Sequence, residues 1–380
     1  MIHIYTIIAL VANLNVIQND TKKRRKTNLS INLYWEVYNE IPSKHTIAAS
    51  LAVLSFGLVA STAQADRLAD VKKAGILHCG VVPGVPGYAF PNKEGKMVGF
   101  DIDLCRAIAA AVLGDADKIK TTKMRLPVAF NAMKAGTVDV VTHRFTWTFG
   151  RDVGQGLDFT RVMVFDGQGF MVRKSLGVKS GKQLDGATFC LTSGATTESN
   201  VSDFFRIHNM KFKQVTFGSM GEAQKAYDTG RCDVFVTDKF GLGARRLAMT
   251  KPSDHMILPE TISNEPISPM VAHGDQVWKD IVVWTLNSLI SAEEYGITSK
   301  NIDKMRDTSI NPFVHRLLGK SGKFGGKIGL GKDWAYRAIK AVGNYGEIWE
   351  RNLGKDGLGM ARGKNELYTN GGLLIAPPFR

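Results

Sequence analysis

One arginine and two threonines stand at a spacing that can hold a carboxylate. Arg151 lies near the end of the stretch Ala132–Asp152, AMKAGTVDVVTHRFTWTFGRD, with Thr146 and Thr148 five and three residues before it. A guanidinium presents a planar fork that matches a carboxylate, and two hydroxyls can fill its remaining lone pairs. A related stretch, Ala226–Asp238 (AYDTGRCDVFVTD), ends on a carboxylate instead. With Gly136 aligned on Gly230, Asp139 falls on Asp233 and Val140 on Val234. The first copy exits towards a cation and the second on the anion Asp238. Opposite charges at equivalent edges of two similar units suit a cleft that holds a zwitterion.

Each copy reads as a helix, a Gly stop, a short β-run and a polar exit. That is what a βαβ unit needs to present a ligand group at the C-terminal edge of a strand. The lead-in helix around Phe130, Met133 and Lys134 is expected to stop at Gly136. The β-run is expected over Val138–Val141, with Thr146, Thr148 and Arg151 in the loop beyond. Upstream, Leu68–Ala74 reads as a helix and Gly75–Val82 as a buried strand. The Gly/Pro-rich loop Pro83–Pro91 offers Tyr88 or Phe90 as an apolar platform. Asp101–Leu113 is an amphipathic helix whose Asp101 and Asp103 read as caps rather than a catalytic pair. In the second half the strand Ala187–Leu191 leads through Gly194 and Thr196 into a helix ending at Phe205. Such a start can bind an anion through backbone N–H groups, or can be ordinary capping by Thr. Phe165–Gly169 and Thr261–Pro269 read as crossovers between the two units. Trp278–Leu289 and Trp334–Trp349 read as helical, and the tail to Arg380 as a loop-rich extension.

A chain of 380 residues, 44% hydrophobic and 22% charged, is long enough for two domains with cores of their own. The net charge of +14 is spread along the chain without a nucleic-acid motif, so it reads as solvated surface. Lys44 and His45 precede an apolar run, Thr46–Val59, and then Ala60–Ala65 (ASTAQA). This is the pattern of a secretory signal cut after Ala65, and residues 1–65 are set aside from the fold. An export signal is expected to open a chain, so translation is expected to start downstream of Met1. Four cysteines permit three connectivities. The repeat argues for pairing within each half, Cys79–Cys105 and Cys190–Cys232. No Cys-x-x-Cys is present, which argues against zinc. Gly319-Lys320-Ser321 ends like a P-loop, but the first Gly that motif requires falls at Val314. No cofactor is expected.

The segments GFDIDLCRAIAAA (99–111), TWTFGRD (146–152), DGQGFMVRKSLGVKS (166–180), GRCDVFVTD (230–238) and DWAYRAIKAVGNYGEIWERN (333–352) resemble one known family. It is that of the type II periplasmic solute-binding proteins (extracellular solute-binding proteins, family 3) of polar amino-acid ABC transporters. Within it the chain is most similar to the long, general L-amino-acid-binding subgroup. The resemblance covers residues 66–380. It implies an α/β, two-lobe type II fold with a C-terminal extension: lobe 1 from 66–167 and 265–380, lobe 2 from 168–264. It also implies roles at matching positions. Arg151 would grip the ligand's α-carboxylate, Thr146 and Thr148 would bond carboxylate and ammonium, and Gly194 and Thr196 would contribute from the second lobe. Asp238 would take the α-ammonium, and Tyr88, with Val85 as the alternative, would form an apolar wall. The sequence departs from the family at Thr142, at Arg144 and Phe145, and at Ala195, which bears on side-chain preference.

The resemblance implies a monomeric, periplasmic, non-enzymatic protein that captures free polar or acidic L-amino acids (Glu, Gln, Asp, Asn). It would deliver them to the permease subunits of an ABC importer, with no nucleic-acid partner. Arg144 and Lys239 in the neighbourhood favour acidic ligands or their amides. The alternative is an exported enzyme on the same fold, of amino-acid or cyclohexadienyl dehydratase type, with His143 and Glu198 as its candidate acid and base.

Overall fold

A computed structural model describes residues 66–380, and the expected export signal lies outside them. The chain builds two sheets of matching design. The first contains β1 (Leu77–Val81) and, after a small two-stranded ribbon of β2 (Phe90–Pro91) and β3 (Met97–Val98), β4 (Ile119–Lys123), β5 (Val140–Thr146), β6 (Leu157–Phe159) and β7 (Val164–Asp166). The second contains β8 (Gln168–Arg173), β9 (Thr188–Thr192), β10 (Lys213–Phe217), β11 (Val234–Asp238) and β12 (His255–Ile257). The chain then returns as β13 (Glu265–Ala272) to the first sheet. The strand orders are β4-β1-β5-β13-β6, with β7 also on β13, and β10-β9-β11-β8-β12. In each, a parallel trio meets one antiparallel strand that has just crossed over. The crossing segments run side by side, Asp166 opposite Glu265.

The repeat in sequence is a repeat in bonding. Gly136 and Gly230 both take left-handed backbone (φ 67° and 86°), where a Cβ would be strained, and end their helices. The Asp just before each strand then locks onto the neighbouring strand. Asp139 accepts from the His78 N–H at 2.7 Å, and Asp233 from the Thr188 N–H at 2.8 Å. Both strands so anchored end at the gap between the two sheets.

Cys79 is bonded to Cys105, tying β1 to the helix Phe100–Leu113, and Cys190 to Cys232, tying β9 to the turn before β11. With loops of 26 and 42 residues, chain entropy assigns about 3.5 and about 4 kcal/mol to them. The C-terminal extension is core rather than appendage. Its helices Trp334–Val342 and Tyr345–Asn352 break at Gly343 and bring Tyr345 and Trp349 edge-on to Phe100 (5.6 and 6.2 Å). Phe379 is buried against Trp284, Phe313 and Trp334. Among the described residues no helix is long and apolar enough to cross a membrane.

Three expectations about local structure are corrected. First, β5 runs to Thr146 instead of stopping at Val141, and Thr148 caps a short helix, Phe149–Gly154, where a loop is expected. The polar run Thr142–Thr146 hides the strand in sequence, because its polar side chains are buried in the fold and not in water, His143 against Asp101, Arg144 against Asp238 and Thr146 against Glu265. Second, Pro266 and Pro269 lie inside β13, not in the crossover. Their carbonyls accept from Trp147 N (2.8 Å) and Thr160 N (3.0 Å), and a register shift near Ser268–Met270 accommodates the missing donors. Third, Asp101 and Asp103 cap nothing. The cap is Gly99, while Asp101 is fully buried facing His143, and Asp103 accepts from Arg351 and Asn352, each at 2.7 Å.

Candidate functional site

Arg151 is placed by the helix that begins just past β5. The Thr148 hydroxyl accepts from the Arg151 backbone N–H at 3.3 Å, so Thr148 sets the helix start rather than facing the gap. From there the guanidinium lies over the rings of Phe145 and Phe130, with centroids at 5.5 and 5.7 Å. Its Nη1 donates to the Thr146 carbonyl at 3.0 Å, and its Nη2 crosses to the second lobe to donate to the Gly194 carbonyl at 3.2 Å. Phe145, one of the departures from the family, therefore turns into the first lobe's core and supports Arg151 from behind. Burial lowers the pKa of Arg151, and the negative charges of Glu265 and Asp238 oppose that.

Glu265, which the sequence does not single out, joins the lobes. It is buried at the first residue of β13. One carboxylate oxygen accepts from the Thr146 hydroxyl of the first lobe and from the Thr196 hydroxyl of the second, the latter at 3.3 Å. The other accepts from Asn200 Nδ2 (2.8 Å) and from Ser263 in the crossover (2.6 Å). Gln168, the first residue past the other crossover, completes the net by donating to Thr196 (2.7 Å) and accepting from Asn200 (2.9 Å).

Asp238 ends β11 across the gap, paired with Arg144 at 3.5 Å. Burial raises its pKa to about 6 against the lowering effect of Arg144. Asp166 nearby is raised to about 7 by burial and by Asp238. The Arg144 guanidinium lies 4.4 Å from the centroid of Tyr88. Tyr88 is fully covered, and burial raises its pKa well above the usual tyrosine value.

Of the expected site residues, Thr146, Arg151, Thr196 and Asp238 border one small interlobe cavity of about 30 Å³, together with Arg144 and Gln168. Thr148 and Gly194 position Arg151 through their bonds to it. Tyr88 lines neither this cavity nor an adjoining one of about 270 Å³, which Val85 lines, and its ring lies against the Arg144 guanidinium. Lys239 is turned away, donating to the Pro259 carbonyl (2.9 Å) and to Thr261 (3.1 Å). Arg245, at the edge of the larger cavity, also escaped the sequence reading. Both it and Glu265 lie outside the repeated stretches that directed that reading. Among the described residues no cluster of His, Cys, Asp or Glu could hold a metal ion.

Two lobes with their charged edges facing across a double crossover define a clamp for a small polar solute. Residues 77–302 match the bacterial extracellular solute-binding proteins, family 3, and the chain belongs to that family. It is 48% identical over 336 residues to the general L-amino acid-binding periplasmic protein of Rhizobium johnstonii, covering 88% of this chain and 98% of the relative. It is 49% identical over 324 residues to the glutamate/glutamine/aspartate/asparagine-binding protein of Rhodobacter capsulatus, covering 85% and 96%. Among solved structures it is similar to an ABC transporter periplasmic binding protein from Brucella ovis with glutathione bound. That likeness has a TM-score of 0.81 and 47% identity, over 83% of this chain and all of the other. The fold is thus the two-lobed type II form of the periplasmic binding proteins.

Proposed function

We propose that this chain is an exported, non-catalytic receptor that captures polar and acidic L-α-amino acids between its lobes and presents them to the permease of an ABC importer. The lobes are 66–167 with 265–380, and 168–264; the membership of the two sheets supports that division. The observation that carries the reading is the convergence of Arg151 with Thr146 from one lobe, and Asp238 with Thr196 from the other, on one interlobe cavity. Arg151 takes the α-carboxylate, Asp238 the α-ammonium, and the two threonine hydroxyls the remaining lone pairs and donors. Because opposite ends of the zwitterion engage different lobes, binding favours closure. Exclusion of water strengthens both charged contacts. The names of the Rhizobium and Rhodobacter relatives support the substrate class, the Rhizobium name also the periplasmic location, and the description of the Brucella protein as an ABC transporter protein supports the importer partner.

Of the candidate acid and base of the enzyme alternative, His143 borders both cavities and Glu198 neither. Glu198 accepts from Gln214 (3.0 Å) and Thr216 (3.4 Å), outside the residues that line either cavity. His143 faces Asp101, and burial lowers its pKa. A second reading, a ligand larger than a single amino acid, is favoured by the 270 Å³ cavity and by glutathione in the Brucella protein. Calorimetric titration of the purified protein with the twenty L-amino acids and glutathione tests both. Binding of Glu, Gln, Asp or Asn, with no product by mass spectrometry, is expected. Turnover of the bound compound would sink the receptor reading.

A further inference from the structure

The cavity beside the clamp has a character of its own. It is walled by Arg125, His143, Arg144 and Arg245, with Met124 and Met220 between them. His143, Arg144 and Met220 border the clamp cavity as well, so the two cavities are neighbours across these side chains. Its volume, about 270 Å³, is many times the ~10–15 Å³ that holds one water. A short side chain leaves most of it unfilled.

Two of its arginines are buried. Arg144 and Arg245 are 7% and 3% exposed, and the Nε–H of each meets no acceptor of the protein. They also lie close together. A Cβ added to Gly241 would stand 3.0 Å from Arg144 Nη1, and Arg245 is one turn further along the same helix, Lys239–Arg246. The pKa of Arg245 is pushed down to about 9 by burial and by the charge of Arg144. Two buried cations with unspent donors are costly to keep unless an anion meets them. Asp238 pairs with Arg144 at 3.5 Å and offsets the charge of Arg245 only from further away, while Arg245 Nη1 donates to the neutral Gln224 side chain at 2.5 Å. Once a ligand ammonium engages Asp238, that offset is shared and the pair is left in surplus positive charge.

We infer that Arg144 and Arg245 form a second anion subsite, which takes the distal carboxylate of an α-amino dicarboxylate whose α-amino acid end sits in the clamp. The inference rests on the clamp reading above and narrows its substrates to acids over amides, with room for chains longer than glutamate. Arg144 and Arg245 are thereby specificity determinants, and the quantity they control is the ratio of acid to amide affinity.

The test is titration of L-glutamate, L-glutamine, L-2-aminoadipate and L-2-aminopimelate into the native protein and into Arg245→Met. The native protein is expected to prefer glutamate to glutamine by about tenfold or more, as a charge-assisted contact requires. The longer diacids should bind at least as well as glutamate. In Arg245→Met the acid-to-amide ratio is expected to fall about tenfold. Should Arg245→Met not fold, Gly241→Ala, whose added methyl meets the Arg144 guanidinium, is expected to lower the same ratio. An acid-to-amide ratio near one in the native protein, or one unchanged in the folded variant, overturns the subsite while glutamine binding keeps the clamp. If no amino acid of either kind binds the native protein, the clamp reading fails and the subsite with it.

Discussion

The ends of β5 and β11 are built alike and finish differently. Each follows a left-handed Gly, each is anchored by an Asp on a neighbouring backbone N–H, and each lies between a parallel strand and a crossover strand. Yet β11 stops after five residues on Asp238, while β5 continues for seven, through Arg144 to Thr146. The scaffold is therefore duplicated and the chemistry is not. Arg144 stands at the position of Asp238, and two extra residues of strand followed by a capped turn of helix add Arg151, so the first lobe has two cations where the second offers a carboxylate. Glu265 adds a second carboxylate from the crossover itself.

Breaking the first exit has the largest expected effect. In Arg151→Ala the proposed partner of the ligand carboxylate is lost, and the bond from the guanidinium to the Gly194 carbonyl goes too. Removal of a buried charged contact of this type costs about 2–5 kcal/mol, so affinity is expected to drop thirtyfold or more. Calorimetry reads the loss and circular dichroism confirms the fold. Affinity within threefold of native would show that Arg151 holds the lobes together without touching ligand.

The second exit is coupled to stability as well as to binding. Asp238→Asn neutralises a carboxylate whose charged form burial already disfavours, so stability in denaturant unfolding at neutral pH is expected to hold or rise slightly while ligand affinity is lost. The pH dependence follows from the same group. Burial raises Asp238 to about 6 and Asp166 to about 7, so the folded chain holds these protons more tightly than the unfolded chain does. Their contribution to stability is full below the ordinary carboxylate range and is lost as pH rises through about 6 to 7. A ligand ammonium favours the ionised Asp238, so affinity moves the other way, rising up to about tenfold per pH unit below pH 6. Titrations in buffers of different ionisation enthalpy should show a proton released on binding. Affinity that falls with pH across this window would contradict the role of Asp238.

How much of this was legible in sequence depends on repetition. The Gly136/Gly230 and Asp139/Asp233 matches exposed the two exits and, with them, Thr146, Arg151 and Asp238, because one pattern seen twice outweighs local ambiguity. The chain passes from the first sheet to the second at Gly167, inside the expected crossover. What stayed hidden lacks a local signature. Glu265 stands in Thr261–Pro269, which reads as a crossover without a site residue, since only the folded chain brings Thr146, Thr196 and Asn200 to its carboxylate. Thr142–Thr146 reads as loop because strand patterns assume that polar faces meet water, and here they meet Asp101, Asp238 and Glu265 instead. Tyr88 was legible as an aromatic near the gap, but not as one that an arginine would cover.

Glu265 sharpens the comparison because it belongs to neither exit and bonds to both lobes. Glu265→Gln keeps the shape, but gives up the charge and replaces one acceptor by a donor facing hydroxyls. About a tenfold loss in affinity is expected, with small-angle scattering of the liganded protein shifted towards the open form. A variant as tight and as closed as native would reduce Glu265 to a crossover staple.

The smallest effect tests the scaffold itself. Asp139 and Asp233 make the same bond to a backbone N–H, yet their surroundings differ. Asp139 is buried with Arg67 and His78 each at 3.4 Å, while the Asp233 side chain is 40% exposed with Arg173 at 3.9 Å. Asp139→Asn therefore removes charge where solvent cannot replace it, and about 1–2 kcal/mol of stability is expected to go with it. Asp233→Asn removes charge where water can compensate, and the expected loss is about 0.5 kcal/mol. Urea unfolding of the two variants gives the difference directly. Equal losses would mean that the bond to the strand sets the cost and the neighbouring cations do not, making the two halves interchangeable at this position in energy as well as in geometry.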